Sequence, residues 1–469
     1  MSTYLVVLYV AFEAVAIVFA FRAVRSARTP QGSMGWVVFL ITTPYVAVPL
    51  YAVFGHFRFV GYVNARRDNA AAIEGLIRLR EANLARVGPD DAHVRAFQAI
   101  SRVPVVSGNG FQLLVDGTET FQAINAAIDA AERYVLVQFY IFRDDGLGRA
   151  FKERLIAKAA EGVPVRMLYD AIGCFGLPNE YLAELRDGGV DVRDVHAMRS
   201  RTNRFQVNFR NHRKIVVADG TVAFVGGFNV GDEYLGLDPR YGAWRDTHAR
   251  VTGPAASQLQ LVFAEDWYWA TRQALVEEVN WDAGRSPEDR DALVLAAGPG
   301  DDFETGTLYF CNAIHAARDR VWIATPYFVP DVDILTALKL AALRGVDVRL
   351  LIPDRPDHKV VWLAAFAFFD EVRAAGVQIW RYRAGFMHQK SLVVDRRLAA
   401  VGTFNLDNRS CRLNFEVAAL MFDADAADRV AAMLERDFAE STLYETPLAR
   451  RSWTLRLGAV GARLFAPIL

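Results

Sequence analysis

The sequence predicts an α/β protein in which two homologous α-β-α units pack about a pseudo-twofold axis, preceded by an N-terminal hydrophobic helical hairpin. Three observations predict this fold class. Two long apolar segments open the chain, short apolar runs alternate with amphipathic helical segments from about residue 106, and the same order of elements recurs in the second half. The 469 residues suffice for about three domains of roughly 150 residues each.

The hairpin is predicted over residues 1–60. Residues 4–21 are apolar apart from Glu13, and residues 36–54 form a run of 19 without a charge, long enough to cross a hydrocarbon core of about 30 Å. No basic residue precedes the first segment, which argues against a cleaved signal peptide, so the hairpin is expected to stay in the membrane. Two prolines weaken the second helix, which leaves a re-entrant hairpin or two buried soluble helices as alternatives. Three arginines lie on either side of the second segment, so their distribution leaves the orientation open.

Four further segments follow the hairpin. Residues 61–105 are polar and alanine-rich and are predicted to hold a connecting helix. The α/β units are predicted over residues 106–285 and 286–445, since "EGVPVRMLYD" and "RGVDVRLLIPD" mark the same helix end and strand in each. Residues 446–469 alternate arginine with apolar residues at helical spacing, which predicts a C-terminal amphipathic helix that either lies on a membrane surface or packs against the units.

The overall charge argues against nucleic acid as a partner. The 53 Lys+Arg and 54 Asp+Glu residues nearly cancel, whereas contacts to a phosphate backbone require a basic surface. The three cysteines form neither a disulfide framework nor a CxxC metal site. HExxH, P-loop and GxGxxG motifs are missing from the sequence, so no metal or other cofactor is expected. The oligomeric state is left open.

One motif occurs in both units. It runs over residues 211–229 as "NHRKIVVADGTVAFVGGFN" and over residues 385–405 as "GFMHQKSLVVDRRLAAVGTFN". Its positions that recur with an offset of 176 residues are His212 and His388, Lys214 and Lys390, Asp219 and Asp395, Gly226 and Gly402, and Asn229 and Asn405. A structural repeat explains the shared glycine and the apolar residues. It gives no reason to keep a histidine, a lysine and an asparagine.

The spacing within the motif predicts a β-hairpin with polar side chains at one end. The histidine and the lysine are two residues apart, so both point to the same face of a strand. Asp219 and Asp395 fall beside the turn, where we expect them to brace the hairpin. Asn229 and Asn405 follow the returning strand, near the level of the histidine. If the units pack about a twofold axis, the two polar sets meet.

Two sets of these side chains are suited to phosphoryl transfer. One of His212 and His388 attacks phosphorus to form a phosphohistidine, while the other protonates the leaving alkoxide and then deprotonates the incoming hydroxyl. The sequence leaves open which histidine is the nucleophile. Lysines neutralise phosphate oxygens, and asparagines donate hydrogen bonds to them. The predicted phosphate-binding residues are Lys214, Lys390, Asn229 and Asn405.

A carboxylate is expected beside each histidine, to hold the ring in one tautomer. Asp246 in "WRDTHARV" lies 34 residues after His212, and Glu416 in "LNFEVAAL" lies 28 residues after His388, each in a strand-like run. We therefore predict that each carboxylate orients the histidine of its own unit. The alternative is that both are ordinary solvated or ion-paired carboxylates.

The doubled motif resembles that of the phospholipase D superfamily, and the likeness covers roughly residues 106–440. The segments "FYIFRDDGLG", "WRDTH" and "TPYFVPD", together with the apolar N-terminal segments, are similar to the bacterial cardiolipin synthases of the two-motif type. The resemblance implies two phospholipase D-like units, and it counts Asp219 and Asp395 among the catalytic residues. Gly227 stands where serine or threonine is common in the family, so a hydroxyl contact to phosphate is expected to be missing there.

The resemblance also implies a reaction and a place for it. The expected reaction transfers a phosphatidyl group between two phosphatidylglycerol molecules through a phosphohistidine and releases glycerol. The expected location is the bacterial inner membrane, with phospholipid substrates and the catalytic part on the cytoplasmic side. The alternatives are a hydrolytic phospholipase D, a synthase with phosphatidylethanolamine as donor, a nuclease, or a non-catalytic membrane scaffold. Near-neutral charge counts against the nuclease, and the complete motifs count against the scaffold.

Overall fold

The computed structural model describes residues 3–26, 30–55, 91–196 and 208–469. Its α-helices are α1 (Thr3–Ser26), α2 (Pro30–Thr42), α3 (Pro44–Phe54), α4 (Ala92–Ser101), α5 (Asp116–Asp129), α6 (Gly146–Ala160), α7 (Asn179–Asp187), α8 (Pro254–Thr271), α9 (Thr305–Ala316), α10 (Val332–Leu343), α11 (Lys359–Arg373), α12 (Asn408–Arg412), α13 (Ala424–Ala439) and α14 (Trp453–Arg463). Its strands are β1 (Val106–Val115), β2 (Val135–Phe139), β3 (Val165–Tyr169), β4 (Asp191–Asp194), β5 (Arg210–Asn211), β6 (Ile215–Ala218), β7 (Val222–Gly226), β8 (Trp244–Arg245), β9 (Thr247–Thr252), β10 (Arg290–Ala297), β11 (Arg320–Ala324), β12 (Phe328–Val329), β13 (Asp347–Pro353), β14 (Gln378–Tyr382), β15 (Phe386–Met387), β16 (Ser391–Val394), β17 (Leu398–Gly402), β18 (Leu406–Asp407), β19 (Asn414–Met421) and β20 (Ser441–Leu443).

The N-terminal apolar segments form three helices rather than two. The second segment is divided between α2 and α3, because Pro44 has no backbone N–H with which to continue the helix. The small side chains of Ala16, Ala20 and Ala23 let α1 pack closely on the other two helices. The prediction of one continuous helix over residues 36–54 is therefore wrong. Within the part of the chain that the structure describes, no helix combines the length and the apolarity needed to cross a membrane.

One large mixed sheet carries both units. Its strand order is β4-β3-β2-β6-β7-β9-β1-β10-β19-β17-β16-β11-β13-β14-β20. Antiparallel β1 and β10 lie at the centre, and the next six strands on either side follow the same order with the same directions. Strand β20 extends the sheet at the edge of the second unit. This matching order confirms the two homologous units. On this topology we propose unit boundaries at residues 106–285 and 286–445. Helix α4 ends the predicted connecting segment, of which residues 61–90 lie outside the described residues.

Helices cover both faces of the sheet. Helices α8 and α13 lie on one face and share a core with strand residues of both units, among them Leu136 and Val417. The opposite face is covered by α5 to α7 in the first unit and by α9 to α11 in the second. Successive residues of β2 alternate between the two layers, since Val135 and Val137 face the α5–α7 side. The units therefore have the predicted α-β-α layering.

Two aspartates anchor the motif hairpins. The β6–β7 hairpin turns at Asp219 and the β16–β17 hairpin at Asp395, both in the left-handed backbone region, with φ of 54° and 51°. The carboxylate of Asp219 accepts hydrogen bonds from the backbone N–H groups of residues 132–134 at 2.8–3.0 Å. That of Asp395 accepts from residues 318–320 at 2.9–3.3 Å. These contacts confirm the predicted bracing role.

The inclusion of Asp219 and Asp395 among the catalytic residues is therefore corrected. Each lies at the end of its strand that is remote from the motif histidine, and its carboxylate is occupied by a run of backbone donors. Each holds the motif hairpin against the start of the neighbouring strand of its own unit.

Helix α14 lies inside the segment predicted as an amphipathic helix over residues 446–469. Its Ala459 and Ala462 are buried against the second unit, where α14 packs on α11. The helix is thus attached by a narrow alanine face.

Candidate active site

Two short strand pairs connect the units around the motif histidines. Strand β5, which precedes His212, runs parallel to the start of β19 in the second unit, and the N–H of His212 donates to the carbonyl oxygen of Phe415 at 3.0 Å. Strand β15, which precedes His388, runs parallel to β8 in the first unit, and the N–H of His388 donates to the carbonyl oxygen of Arg245 at 2.8 Å. Each histidine therefore enters the site along a strand of the other unit.

As a result, each motif histidine contacts a carboxylate of the other unit. Nδ1 of His212 lies 2.9 and 3.1 Å from the two carboxylate oxygens of Glu416. Nδ1 of His388 lies 3.0 Å from Oδ2 of Asp246. The prediction that each carboxylate contacts the histidine of its own unit is wrong, because β5 and β15 carry the histidines across the unit boundary. Both predicted carboxylates nevertheless lie beside a motif histidine.

Further hydrogen bonds fix the two carboxylates, both of which are fully buried. Oε1 of Glu416 accepts from the hydroxyl of Ser410 at 2.8 Å and from the side-chain amide of Asn414 at 3.1 Å. Oδ1 of Asp246 accepts from the backbone N–H of Thr247 at 2.8 Å. Each carboxylate is held on one side while it faces its histidine on the other.

The neighbouring histidines and lysines keep both carboxylates ionised. Burial alone would raise their pKa, but His212 and Lys214 hold the pKa of Glu416 below its usual value. The ammonium of Lys390 is the strongest of the groups that hold the pKa of Asp246 below its usual value. An ionised carboxylate on Nδ1 stabilises the imidazolium that forms when the ring takes up a proton at Nε2.

Burial disfavours the charged forms of both motif histidines and both motif lysines. Burial lowers the pKa of His212, and burial together with Lys390 lowers the pKa of His388 to about 4. Both rings are thus neutral at pH 7 in the free protein. Burial also lowers the pKa of Lys390 to about 8 and that of Lys214 well below its usual value. An anion beside these groups favours their protonated forms.

The lysines lie next to the histidines with different contacts. Nζ of Lys214 donates to the backbone oxygen of His212 at 2.7 Å. Nζ of Lys390 donates to the backbone oxygen of His388 and also lies 2.7 Å from Nδ1 of its ring. Neither lysine is part of the pocket lining, so their role in binding phosphate stays a prediction.

The two halves meet in one pocket of about 470 Å³. The predicted site residues in its lining are His212, His388, Asn229 and Asn405. The side-chain oxygen of Asn229 accepts from the backbone N–H of Ile141 at 3.1 Å, and its amide donates to the hydroxyl of Tyr234 at 2.9 Å. The side-chain oxygen of Asn405 is buried without a hydrogen-bond partner among the described residues. An amide group has two N–H donors, so Asn229 keeps one for a ligand.

Comparison with known proteins identifies the family. A family model described as "Cardiolipin synthase, PLD-like domain" matches residues 124–267 and 310–438. The protein named cardiolipin synthase A in Pseudomonas aeruginosa strain PAO1 is 47% identical over 100% of this chain and 97% of its own length. This chain belongs to the cardiolipin synthase family.

Other comparisons agree with this assignment. The cardiolipin synthase A of Pseudomonas putida strain GB-1 is 47% identical over 97% of this chain and 96% of its own length. The crystal structure of phosphatidylserine synthase from Haemophilus influenzae superposes with a TM-score of 0.61 and 15% identity, over 80% of this chain and 100% of that chain. At this identity the structural likeness concerns the fold alone.

Three aromatic side chains of this cardiolipin synthase family member lie beside the motif histidines, and the sequence did not predict them as part of the site. The ring of Tyr140 lies edge-on to His212 with the ring centres 5.2 Å apart. The ring centre of Trp244 lies 5.3 Å from that of His388, and that of Tyr327 lies 6.1 Å from it. Trp244 carried a usable signal, since it stands two residues before Asp246 and therefore points the same way along the strand.

The prediction for Gly227 is corrected. A Cβ atom at this position would lie 2.0 Å from Oδ1 of Asp246, so the residue faces the buried carboxylate and not the pocket. The equivalent Thr403 is fully buried, and its hydroxyl accepts from the backbone N–H of Val417 at 2.9 Å. The position supports the carboxylate in both units, and no phosphate contact is lost at Gly227.

Proposed function

We propose that the chain makes cardiolipin by transferring a phosphatidyl group from one phosphatidylglycerol to another, with release of glycerol. One observation carries the proposal: two histidines line one pocket, and each has a buried carboxylate from the other unit on Nδ1. A pair of this kind supplies one nucleophile and one acid–base group. The full-length likeness to proteins named cardiolipin synthase A supports the choice of reaction.

The reaction proceeds in two displacements at phosphorus. Before the first displacement, the bound phosphate anion favours the protonated form of one histidine. Nε2 of the other, neutral histidine then forms a P–N bond, the P–O bond to glycerol breaks, and the protonated ring gives its Nε2 proton to the departing alkoxide. In the second, that histidine takes the proton of the acceptor hydroxyl, whose oxygen forms the new P–O bond as the P–N bond breaks. One phosphodiester replaces another, so no external energy source is needed.

Charge compensation is the proposed task of the remaining polar groups. We propose that Lys214 and Lys390 become fully protonated when the phosphate enters, because its negative charge reverses the effect of burial on their pKa. Asn229 and Asn405 donate to the phosphate oxygens from the pocket wall.

We further propose that the chain works at the bacterial inner membrane, with the catalytic units on the cytoplasmic side and phospholipids as substrates. Helices α1 to α3 support an attachment of this kind, because they leave large apolar side chains exposed. These include Val10, Ile17, Val38 and Ile41. A surface that exposes such residues is suited to contact with lipid.

Product analysis with the purified full chain tests the proposal. Vesicles of phosphatidylglycerol are expected to yield cardiolipin and glycerol in equal amounts, and added phosphatidylethanolamine is expected to leave the yield unchanged. Formation of phosphatidic acid alone would identify a hydrolytic phospholipase D. A yield that depends on phosphatidylethanolamine would identify it as the donor.

A further inference from the structure

One face of α14 is apolar and exposed. Trp453, Leu457, Val460 and Leu464 follow one another at intervals of four, three and four residues, which places them on a single stripe of the helix. Their exposed fractions are 72%, 65%, 62% and 80%. This stripe lies opposite the alanine face by which the helix packs on α11. Removing this apolar stripe from water would stabilise a complex through the hydrophobic effect.

Other exposed apolar side chains lie within the pocket lining or a few residues along the chain from it. Phe175 is 86% exposed and lies two residues after Gly173, which lines the pocket. Leu237 is 63% exposed and lies between two lining tyrosines, at positions 234 and 241. Ile468 is exposed and is itself part of the lining. The stripe of α14 therefore continues, through the chain end that follows it, to the opening of the pocket.

The charge along α14 and the segments that flank it is positive. Residues 446–469 contain four arginines and no acidic residue. Arg456 and Arg463 lie on α14 itself and are exposed, and Lys359 is exposed at the start of the neighbouring α11. Exposed apolar residues bordered by cations are the combination by which amphipathic helices bind anionic membrane surfaces.

We propose that an apolar rim, made of Phe175, Leu237, Ile468 and the exposed stripe of α14, lies in the headgroup region of an anionic phospholipid bilayer. The pocket then opens directly onto the lipid headgroups. This inference rests on the proposed function, because only a lipid substrate requires the mouth to meet a membrane. It concerns the catalytic units and is separate from the attachment through α1 to α3.

The size of the pocket agrees with this placement. A volume of about 470 Å³ lies within the range of sites that hold one drug-sized ligand. It accommodates a phosphodiester and a glycerol group, but not the acyl chains of two lipids. With the rim in the bilayer, the acyl chains stay among their neighbours while only the headgroups enter. Drawing a lipid out of the bilayer would expose its acyl chains to water, at a free-energy cost that grows with each CH₂ group.

A fluorescence experiment tests the contact without relying on activity. Leu464→Cys carries an environment-sensitive dye in the full chain, with Cys311→Ser as background because the other two cysteines are buried. Leu343→Cys on α10 is the matched control, since it is 70% exposed and does not line the pocket. In phosphatidylglycerol vesicles with spin-labelled acyl chains, the dye at position 464 is expected to be quenched and the dye at 343 is not.

Two results would overturn the proposed contact. One is equal quenching, or none, at both positions. The other is a change at position 464 that appears in detergent and grows with protein concentration, which would make a second copy of the chain the occupant. Quenching at 464 in a protein that forms no cardiolipin would leave the rim intact and overturn the proposed function instead.

Activity supplies a second, independent readout. The double variant Leu457→Glu, Leu464→Glu is expected to form cardiolipin from vesicles about tenfold more slowly, because two charges enter the apolar interface. On monomeric short-chain phosphatidylglycerol, its rate is expected to stay within about twofold of the wild type, since the pocket is untouched. Leu343→Glu is the control for both substrates. Equal loss on both substrates in the double variant would contradict the proposal.

Discussion

The two halves of the pocket share a backbone plan but differ in their lining. We call His212, Lys214 and Glu416 the first half-site, and His388, Lys390 and Asp246 the second. Beside the first half-site, the strand pair β5–β19 places Arg210 opposite Asn414. Beside the second, the equivalent pair β15–β8 places Phe386 opposite Trp244. The first side of the pocket is therefore polar and basic, and the second is aromatic.

The contacts inside the half-sites differ as well. Lys214 donates to the backbone oxygen of its histidine and lies 5.5 Å from the centre of the Tyr140 ring, whereas Lys390 lies 2.7 Å from Nδ1 of the His388 ring. The first half-site has a glutamate supported by a threonine, and the second has an aspartate packed against Gly227. The pseudo-symmetry supplies two copies of each group, and the substitutions around them make the copies unequal. The surroundings therefore distinguish two histidines that the repeat alone would make equivalent.

Removing either histidine is the strongest test of whether both half-sites are needed. His212→Ala and His388→Ala are each expected to lower cardiolipin formation about a thousandfold or more, because each removes either the nucleophile or the acid–base group. The measurement is product formation from purified phosphatidylglycerol. His315→Ala is the control, since that histidine is exposed on α9 and does not line the pocket. Substantial turnover in either motif variant would sink the two-histidine mechanism.

The next largest effects are expected from changing the carboxylates that contact the histidine of the other unit. Glu416→Gln is expected to lower activity about a hundredfold or more by removing the charge that stabilises the imidazolium. It is also expected to lower the pKa of His212 further while leaving that of His388 nearly unchanged, and Asp246→Asn is expected to do the reverse. Nitrogen NMR of labelled histidines measures the pKa values of His212 and His388. A response of the histidine in the same unit as the altered carboxylate would refute the crossed arrangement.

Acid is expected to destabilise the second half-site. The unfolded chain protonates His388 near pH 6.5, while the folded protein does so only near pH 4. The full contribution of His388 to the free energy of unfolding is thus present above about pH 6.5. It is lost as the pH falls toward 4, by an amount on the order of 3 kcal/mol. Denaturant unfolding between pH 7 and 4 is expected to show a shallower loss in His388→Gln than in the wild type. Parallel curves would contradict the depressed pKa.

The smallest effects distinguish the supports behind the carboxylates. Gly227→Ala is expected to destabilise the protein by about 1–3 kcal/mol, because the new Cβ overlaps Asp246 in a closed core. Thr403→Ala is expected to cost about 1 kcal/mol through the lost hydrogen bond to Val417. Thermal unfolding measures both. An unchanged unfolding temperature in Gly227→Ala would contradict the close packing of Gly227 against Asp246.

Local patterns predicted most of the fold and the identity of the site residues. Strand and helix order, the motif hairpins and the bracing by Asp219 and Asp395 follow from spacing and turn chemistry over a few residues. Pro44 signalled the weak point of the second apolar segment, although not the complete break into two helices. The contact of each histidine with the carboxylate of the other unit could not be predicted from the sequence, because β5 and β15 are two residues long and their partners lie in the other unit. Strands of that length carry no periodicity.

The crossed contacts also bear on how the chain avoids premature chemistry. Neither unit alone contains a histidine with its carboxylate, so a chain in which only one unit has folded holds neither of the two histidine–carboxylate pairs. It also leaves Glu416 or Asp246 without its cationic neighbour, which disfavours burial of that charge. Docking of the two units and creation of the reactive site are therefore one event. The appearance of catalytic activity reports that the whole chain has reached its final assembly.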